Sequence, residues 1–350
     1  MPSKVRTLIV DDSAYMRVVI KDMLESDPGL EVVGIAKDGI EAVEKTKQLK
    51  PDVVLLDIQM PRMDGIATLQ RIMKESPTRV IMLSAMDKKD DLLPLRALEL
   101  GAVDFISKPS GPVSVDIVNF SGKIVEIVKN SAMAKVDVLR RARSPLPSRL
   151  QAIRKENGQT HKVIAVGASL GGPRALESLF AALPKDLPAS FFIVQHIPQE
   201  FSLTFAKRLD SVQGPKVQLA TDGMRAERGN AYVAPGGKHL KVGWKGASTV
   251  QLRLEDGDPV NYVKPSVDVL FKSVAEVLGD SSMGIVLTGM GVDGAKGALA
   301  IRKAGGRVVA QDEQTSLAYG MPKAVAESGA ANRILPLEDI PKEIIRFLEE

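Results

Sequence analysis

The sequence has no cysteine, which excludes disulfides, thiolate metal sites and a cysteine nucleophile. It fits a reducing compartment, and any nucleophile must be of another kind. Aromatic residues make up only 4% of the chain, too few to suggest a base-stacking surface. Nor is charge of one sign in large excess. The 47 basic and 43 acidic residues are intermixed and leave a net charge of +4, so no nucleic-acid partner is expected. No apolar run reaches membrane-spanning length, and Met1-Pro2-Ser3-Lys4-Val5-Arg6 leads into a short strand without a signal-peptide hydrophobic region. Membrane insertion is not expected, and a cytoplasmic location follows by default. Histidine is scarce too: His161, His196 and His239 are the only candidates for an imidazole base.

The 350 residues, 44% of them hydrophobic, suit a globular chain with two cores. Apolar runs at Val5 to Val10, Glu31 to Ala36, Val53 to Leu56, Val80 to Leu83 and Val103 to Ile106 read as five strands separated by segments of helical length. Strands apolar on both faces predict a five-stranded parallel sheet covered by helices, the doubly wound α/β class. A fifth helix is expected from about Val115 beyond Lys129. The stretch Arg140 to Arg149 carries four arginines, two prolines and no acid, and reads as a solvated interdomain linker in preference to a basic interaction patch. The expected division is 1–125, then a helix extension and linker over 126–159, then a second domain over 160–350.

A second β/α alternation begins at Val163 to Val166 and continues through Phe191 to Gln195, Lys216 to Ala220 and Gly284 to Thr288. Between Asn230 and Leu254, short strands broken by Pro235-Gly236-Gly237 and Lys245-Gly246 predict an antiparallel excursion on a mainly parallel sheet. Nothing in the sequence demands more than a monomer.

Asp11 and Asp12 end the first predicted strand, Asp57 the third and Ser84 the fourth, while Lys108-Pro109 follows the fifth. In a parallel sheet these are all carboxyl ends and converge on one edge. Three carboxylates there repel one another unless a hard cation joins them, and Mg²⁺ suits such a set. Asp57 can then act as a carboxylate nucleophile towards a phosphoryl group, with Lys108 and the Ser84 hydroxyl meeting the phosphoryl oxygens. Each residue alone reads as a turn, cap or surface residue; the constellation carries the argument.

Val10-Asp11-Asp12-Ser13, Leu56-Asp57-Ile58-Gln59-Met60-Pro61, Asp64-Gly65, Leu83-Ser84-Ala85 and Ser107-Lys108-Pro109 occur in order, and over roughly residues 5 to 125 the chain resembles the response-regulator receiver family. The resemblance implies that Asp57 accepts phosphate from a chemotaxis histidine kinase and that Asp11, Asp12, Asp57 and the Gln59 carbonyl hold Mg²⁺. Phe105 stands where that family has its switch aromatic; a strand-core phenylalanine is the equally weighted alternative.

In the second region, Gly167-Ala168-Ser169-Leu170-Gly171-Gly172-Pro173 follows a strand and opens a helix. This is G-x-S-x-G in strand-turn-helix context, which exposes a serine at a helix N-terminus. A dinucleotide loop is disfavoured, because Ser169 replaces the second glycine and the next strand ends in Gln195-His196 instead of an acid. His196 lies at the carboxyl end of that strand, whereas His161 and His239 read as exposed or structural. Asp293, in Gly289-Met290-Gly291-Val292-Asp293-Gly294, can orient His196 or merely cap the helix that follows.

With Gln195-His196-Ile197-Pro198, Tyr232-Val233-Ala234-Pro235-Gly236, Leu287-Thr288-Gly289-Met290-Gly291 and Tyr319-Gly320-Met321-Pro322, the chain from about residue 160 onward resembles the chemotaxis protein-glutamate methylesterase family. That resemblance implies Ser169 as nucleophile, His196 as general base and acid, Asp293 as orienting acid, and methylated chemotaxis receptors as substrate. It also implies glutamine deamidation, no cofactor for the ester chemistry, and a receiver that covers the esterase cleft until phosphorylated. Many members have threonine after the nucleophile where this chain has Leu170, so backbone N–H groups at Leu170 and Met290 are the oxyanion candidates. A receiver attached to a non-catalytic output domain is the rival reading, opposed by the lack of a helix-turn-helix candidate with a basic face.

Overall fold

A computed structural model describes residues 4–84, 93–108, 115–141, 161–246 and 249–350. The chain divides into two compact units, Met1–Ala142 and Arg143–Glu350. Ala85, Pro109 and residues 142–149 of the expected linker lie outside the described residues, while Arg140 and Arg141 end a short helix instead of opening the linker.

The first unit alternates β1 (Val5–Val10), α1 (Ala14–Glu25), β2 (Leu30–Ala36), α2 (Gly39–Leu49), β3 (Val53–Asp57), α3 (Gly65–Glu75), β4 (Arg79–Ser84), α4 (Leu93–Leu100), β5 (Asp104–Ser107), α5 (Val115–Ala132) and α6 (Val136–Arg141). Its five strands form a parallel sheet in the order β2-β1-β3-β4-β5. Strand β3 is buried along its whole length, which is why it reads as an unbroken apolar run ending in an acid. Asp38 and Asp64 cap α2 and α3 by accepting backbone N–H groups of the first turn. Ile124 and Val128 of α5 are fully buried in the core beneath the sheet, so this helix continues to pack on the first unit past residue 125.

The second unit comprises β6 (Lys162–Ala168), α7 (Gly172–Ala182), β7 (Ala189–Gln195), α8 (Gln199–Ser211), β8 (Lys216–Leu219), β9 (Asn230–Val233), β10 (His239–Lys245), β11 (Thr249–Glu255), α9 (Val267–Leu278), β12 (Ser282–Val286), α10 (Ala295–Lys303), β13 (Arg307–Gln311), α11 (Met321–Glu327), β14 (Arg333–Leu335) and α12 (Ile340–Glu349). Seven of its strands form a sheet in the order β14-β13-β12-β6-β7-β9-β8, and every pairing in it is parallel. The chain leaves central β6 for β7 on one side and later places β12 on the other, so the carboxyl end of β6 is a topological switch point.

The antiparallel excursion is a separate two-stranded ribbon of β10 and β11. Asn230–Val233, which the spacing groups with it, pairs parallel to β7 and β8 instead. Leu240, Val242, Val250 and Leu252 of the ribbon join Leu270, Phe271 and Val274 of α9 in one buried cluster, and the Val242 N–H donates to Ser273 Oγ at 3.1 Å. The ribbon is thereby fastened to the helix that carries part of the site. No helix among the described residues is long and apolar enough to cross a membrane.

Candidate functional site

In the first unit, the carboxyl ends of β1, β3 and β5 bring acids and a lysine together. Oxygen atoms of Asp11, Asp12 and Asp57 lie within 4.8 Å of one another. Lys108 Nζ is 2.7 Å from Asp11 Oδ2 and 2.8 Å from Asp57 Oδ2. Burial pushes the Asp57 carboxyl up to about 6 against the opposing pull of Lys108, and the neighbouring Asp11 adds to the rise. Burial alone lowers the Lys108 pKa, but Asp57 and Asp11 outweigh it and hold the ammonium above its ordinary value. One lysine therefore under-compensates three carboxylates. All are hard oxygen donors and Asp12 is exposed, so the set fits Mg²⁺ with open coordination positions.

Ser84 is buried at the end of β4, where its carbonyl accepts the Lys108 N–H at 2.7 Å. The Gln59 N–H approaches Asp57 Oδ1 at 3.5 Å. Phe105 is buried in β5, opposite Met82 of β4. One contributor is absent from the motif reading: Arg17 Nη1 donates to the carbonyls of Asp11 and Asp12 at 2.7 and 3.0 Å, pinning the acidic turn from α1.

In the second unit, β6 turns sharply into α7 at Ser169. The Ser169 N–H donates to the Thr288 carbonyl at 3.0 Å, and its own carbonyl accepts the Gly172 N–H at 2.8 Å and Gln195 Nε2 at 2.9 Å. Gly171 sits at φ +77°, a conformation that costs any residue with a Cβ and that lets the turn close in so few residues. Gly289 is glycine for a different reason: a Cβ there would lie 2.4 Å from Met321 Sδ and 2.9 Å from Ser169 Cβ. The loop after β12 can therefore pass directly against the serine.

Ala168 and Gln195 are register partners, and the His196 N–H donates to the Ala168 carbonyl at 3.0 Å, so Ser169 and His196 leave neighbouring strand ends side by side. His196 Nε2 is 2.9 Å from Asp293 Oδ2. Of the expected three-residue relay, the structure joins His196 to Asp293, and the Ser169 hydroxyl makes no hydrogen bond to a group among the described residues. The other two histidines lie elsewhere in roles of their own. His161 precedes β6 at the opposite edge of the sheet, with Nε2 2.8 Å from Ser190 Oγ, and burial together with Arg228 and Arg225 lowers its pKa.

Asp293 caps a helix, but not the one that follows it in sequence. Its oxygens accept the N–H groups of Val267 at 2.6 Å and Asp268 at 3.3 Å, at the start of α9. They also accept Ser266 Oγ–H at 2.7 Å and Asn261 Nδ2–H at 2.7 Å. Burial alone would raise this carboxyl, but the hydrogen bond and charge of His196, then Ser266 and the Val267 N–H, bring it below its ordinary value of 3.8. A buried carboxylate with this many donors, at the positive end of a helix, stays ionised and fixed in place.

Asn261 and Ser266 are not found by motif reasoning, and Gln195 enters it only as the neighbour of His196, without a role. Asn261 reaches Asp293 because Val260 and Val263 exchange both backbone hydrogen bonds across a two-residue turn, in which Asn261 (φ +54°) and Tyr262 (φ +66°) are left-handed. That turn shape favours Asn-Gly. Tyr262 is 98% exposed and buries nothing in compensation. Tyr262→Gly is expected to stabilise the second unit by about 0.5–1 kcal/mol, the left-handed penalty less the extra chain entropy of glycine, and paired urea denaturation curves check it.

Two comparisons of sequence and one of structure bear on this arrangement. Residues 7–116 match the response regulator receiver domain, which gives the class of the first unit, and residues 164–344 match the CheB methylesterase family. A protein-glutamate methylesterase/protein-glutamine glutaminase of Pyrococcus abyssi is 43% identical over 348 residues, covering 99% of this chain and 94% of that protein. One of the same name from Archaeoglobus fulgidus is 44% identical, covering 98% of each. The crystal structure of the Thermotoga maritima CheB methylesterase catalytic domain is 39% identical and superposes with a TM-score of 0.52, covering 54% of this chain and 99% of that one. The chain belongs to the CheB methylesterase family.

Proposed function

We propose that this protein hydrolyses glutamate methyl esters on chemotaxis receptors, releasing methanol, and that phosphorylation of Asp57 by a chemotaxis histidine kinase activates it. The observation that carries the reading is the 2.9 Å contact between His196 Nε2 and a buried, multiply bonded Asp293, beside the strand end that presents Ser169.

Ser169 Oγ attacks the ester carbonyl, and His196 takes the proton on Nδ1, the ring nitrogen that Asp293 leaves available. The hydroxyl-imidazole hydrogen bond, not made in this structure, forms when substrate fills the site, as catalytic hydrogen bonds commonly do. Asp293 holds the ring and stabilises the imidazolium. The N–H groups of Leu170 and Met290 donate to no acceptor among the described residues and receive the oxyanion. The tetrahedral adduct collapses, methoxide leaves with the proton from His196, and water repeats the sequence on the acyl-serine to restore a free glutamate. An amide enters the same path with ammonia as leaving group, which gives glutamine deamidation; the relatives' names include that activity.

In the receiver, Asp57 is the phosphoacceptor, Lys108 and the Ser84 hydroxyl meet the phosphoryl oxygens, and engagement of Ser84 favours the inward rotamer of Phe105, which is already buried in this structure. Asp11, Asp12, Asp57 and the Gln59 carbonyl would hold Mg²⁺, which would screen the carboxylates from the incoming phosphoryl group. We assign residues 1–125 with the rest of α5 to the receiver and 160–350 to a monomeric esterase chain without a cofactor of its own.

Methanol release from methylated receptor membranes, measured with and without a small-molecule phosphodonor, tests both halves. Stimulation is expected in the native protein and its loss in Asp57→Asn, with basal release kept. Stimulation that survives in Asp57→Asn would place the phosphorylation elsewhere.

A further inference from the structure

His239 is one of three histidines in the chain, it is buried, and the esterase mechanism leaves it unused. Both of its ring nitrogens are committed. Nδ1 accepts the Ser266 N–H at 3.1 Å, and Nε2 lies 2.9 Å from the Asp258 carbonyl, to which it must donate. Accepting on one nitrogen and donating from the other fixes a single neutral tautomer. The two partners are the ends of the segment 258–266, which contains no helix or regular strand. From that segment come two donors to Asp293, Asn261 Nδ2–H and Ser266 Oγ–H, and its last residue leads straight into Val267, whose N–H is a third. His239 itself begins β10 opposite Glu255 of β11, on the ribbon fastened to α9.

We propose that His239 is a positioning residue of the esterase centre: by clamping both ends of the 258–266 segment it sets the donors that hold Asp293, and through Asp293 the imidazole of His196. The inference rests on the esterase reading and adds to it a residue that touches neither substrate nor any member of the relay. Other bonds also hold the segment: the Gly237 N–H donates to the Lys264 carbonyl at 3.0 Å, Lys264 Nζ donates to Asp256 Oδ1 at 2.9 Å and to the Gly257 carbonyl at 3.1 Å, and Asn261 Nδ2–H donates to Asp268 Oδ2 at 2.9 Å, but none of them engages the Ser266 N–H or the Asp258 carbonyl. Without the imidazole, the Ser266 N–H is buried without an acceptor and the segment can relax away from the carboxylate. The acid keeps its place in the sequence but loses its fixed orientation, a displacement that costs rate more than substrate affinity.

The test combines kinetics with ¹⁵N-histidine NMR, in which three imidazoles are readily resolved by substitution. In the wild type, His239 is expected as the Nε2–H tautomer with Nδ1 hydrogen-bonded. In His239→Leu, the low-field proton between His196 and Asp293 is expected to move upfield or broaden, and kcat to fall about tenfold or more at a temperature well below unfolding, with KM within about twofold. His239→Asn places Oδ1 where Nδ1 was and is expected to recover most of kcat. His239→Gln supplies only the distal donor and is expected not to.

An unchanged His196 signal and kcat in folded His239→Leu would overturn the proposal, as would rescue by Gln equal to that by Asn. Should the leucine variant fail to fold, the Asn and Gln variants decide the matter between them. The NMR arm needs no turnover, so it distinguishes failure of the clamp from failure of the esterase reading, in which wild-type protein itself releases no methanol.

Discussion

Ser169→Ala is expected to lower methanol release from methylated receptors by at least about 10⁴-fold in kcat, leaving only the residue that substrate binding and the oxyanion donors can supply without a nucleophile. The substitution is clean because the serine is held by its backbone. Its N–H and carbonyl are bonded to Thr288, Gly172 and Gln195, while its hydroxyl bonds to nothing among the described residues. The melting temperature is therefore expected to stay at the wild-type value, which separates lost chemistry from lost fold. Release near the wild-type rate would remove Ser169 from the mechanism and with it the acyl-enzyme.

Asp293→Asn is expected to cost roughly 10⁴-fold in kcat, because an amide can neither stabilise the imidazolium nor enforce the tautomer that leaves Nδ1 free to accept a proton. Unlike the serine change, it is also expected to destabilise the second unit. An amide nitrogen placed among Val267 N–H, Ser266 Oγ–H, Asn261 Nδ2–H and His196 opposes a donor to donors, at a cost of about 2–4 kcal/mol at neutral pH. The dependence on pH follows from the direction of the shift. A carboxyl held below 3.8 in the folded protein binds its proton more tightly when unfolded, so its contribution is fully present above that value and is lost as pH falls through the folded pKa. The gap between wild type and variant, read from urea denaturation, is expected to narrow as pH falls below about 4. A gap that instead widened below about pH 4 would mean that the carboxyl is not held below its ordinary value in the folded state.

Much of this was legible in the sequence, and the parts that were not share a cause. The central receiver strands stand out because they are buried and apolar and bounded by turn chemistry, so that β1 runs from Val5 to Val10 as its apolar run does. The residues at strand ends are legible because parallel topology converts order along the chain into convergence in space. That rule places Asp11 and Asp57 at one edge of the first sheet and, together with the G-x-S-x-G spacing, places Ser169 at the end of β6. The rule gives no partner direction, however. Asn230–Val233 has the length and flanking glycines of a hairpin strand, yet it joins the parallel sheet beside β7, because tertiary packing and not local spacing chooses the neighbour. Strands β13 and β14 were missed, the second being three residues with two of them exposed.

The shell around Asp293 is the clearest case of information that local sequence does not carry. Asn261 lies 32 positions from the acid it holds, on a turn without the expected glycine, and Ser266 looks like an ordinary cap for the helix it precedes. Neither has a spacing motif relative to Asp293, because the contact is made between a loop and a helix N-terminus brought together by tertiary packing. Asp293 shows the same limit from the other side. The helix its carboxylate caps lies earlier in the chain and not after it, and the same carboxylate bonds His196, as the relay-acid proposal requires.

Gln195 gives the centre a mechanical property. Its single amide nitrogen donates to the carbonyl of Ser169 at 2.9 Å and to that of His196 at 3.1 Å, from a side chain that is itself buried. The proposed nucleophile and the proposed base thus hang from one point. Thermal displacement of either strand end carries the other along with it, so the gap a proton must cross fluctuates less than the absolute position of either group.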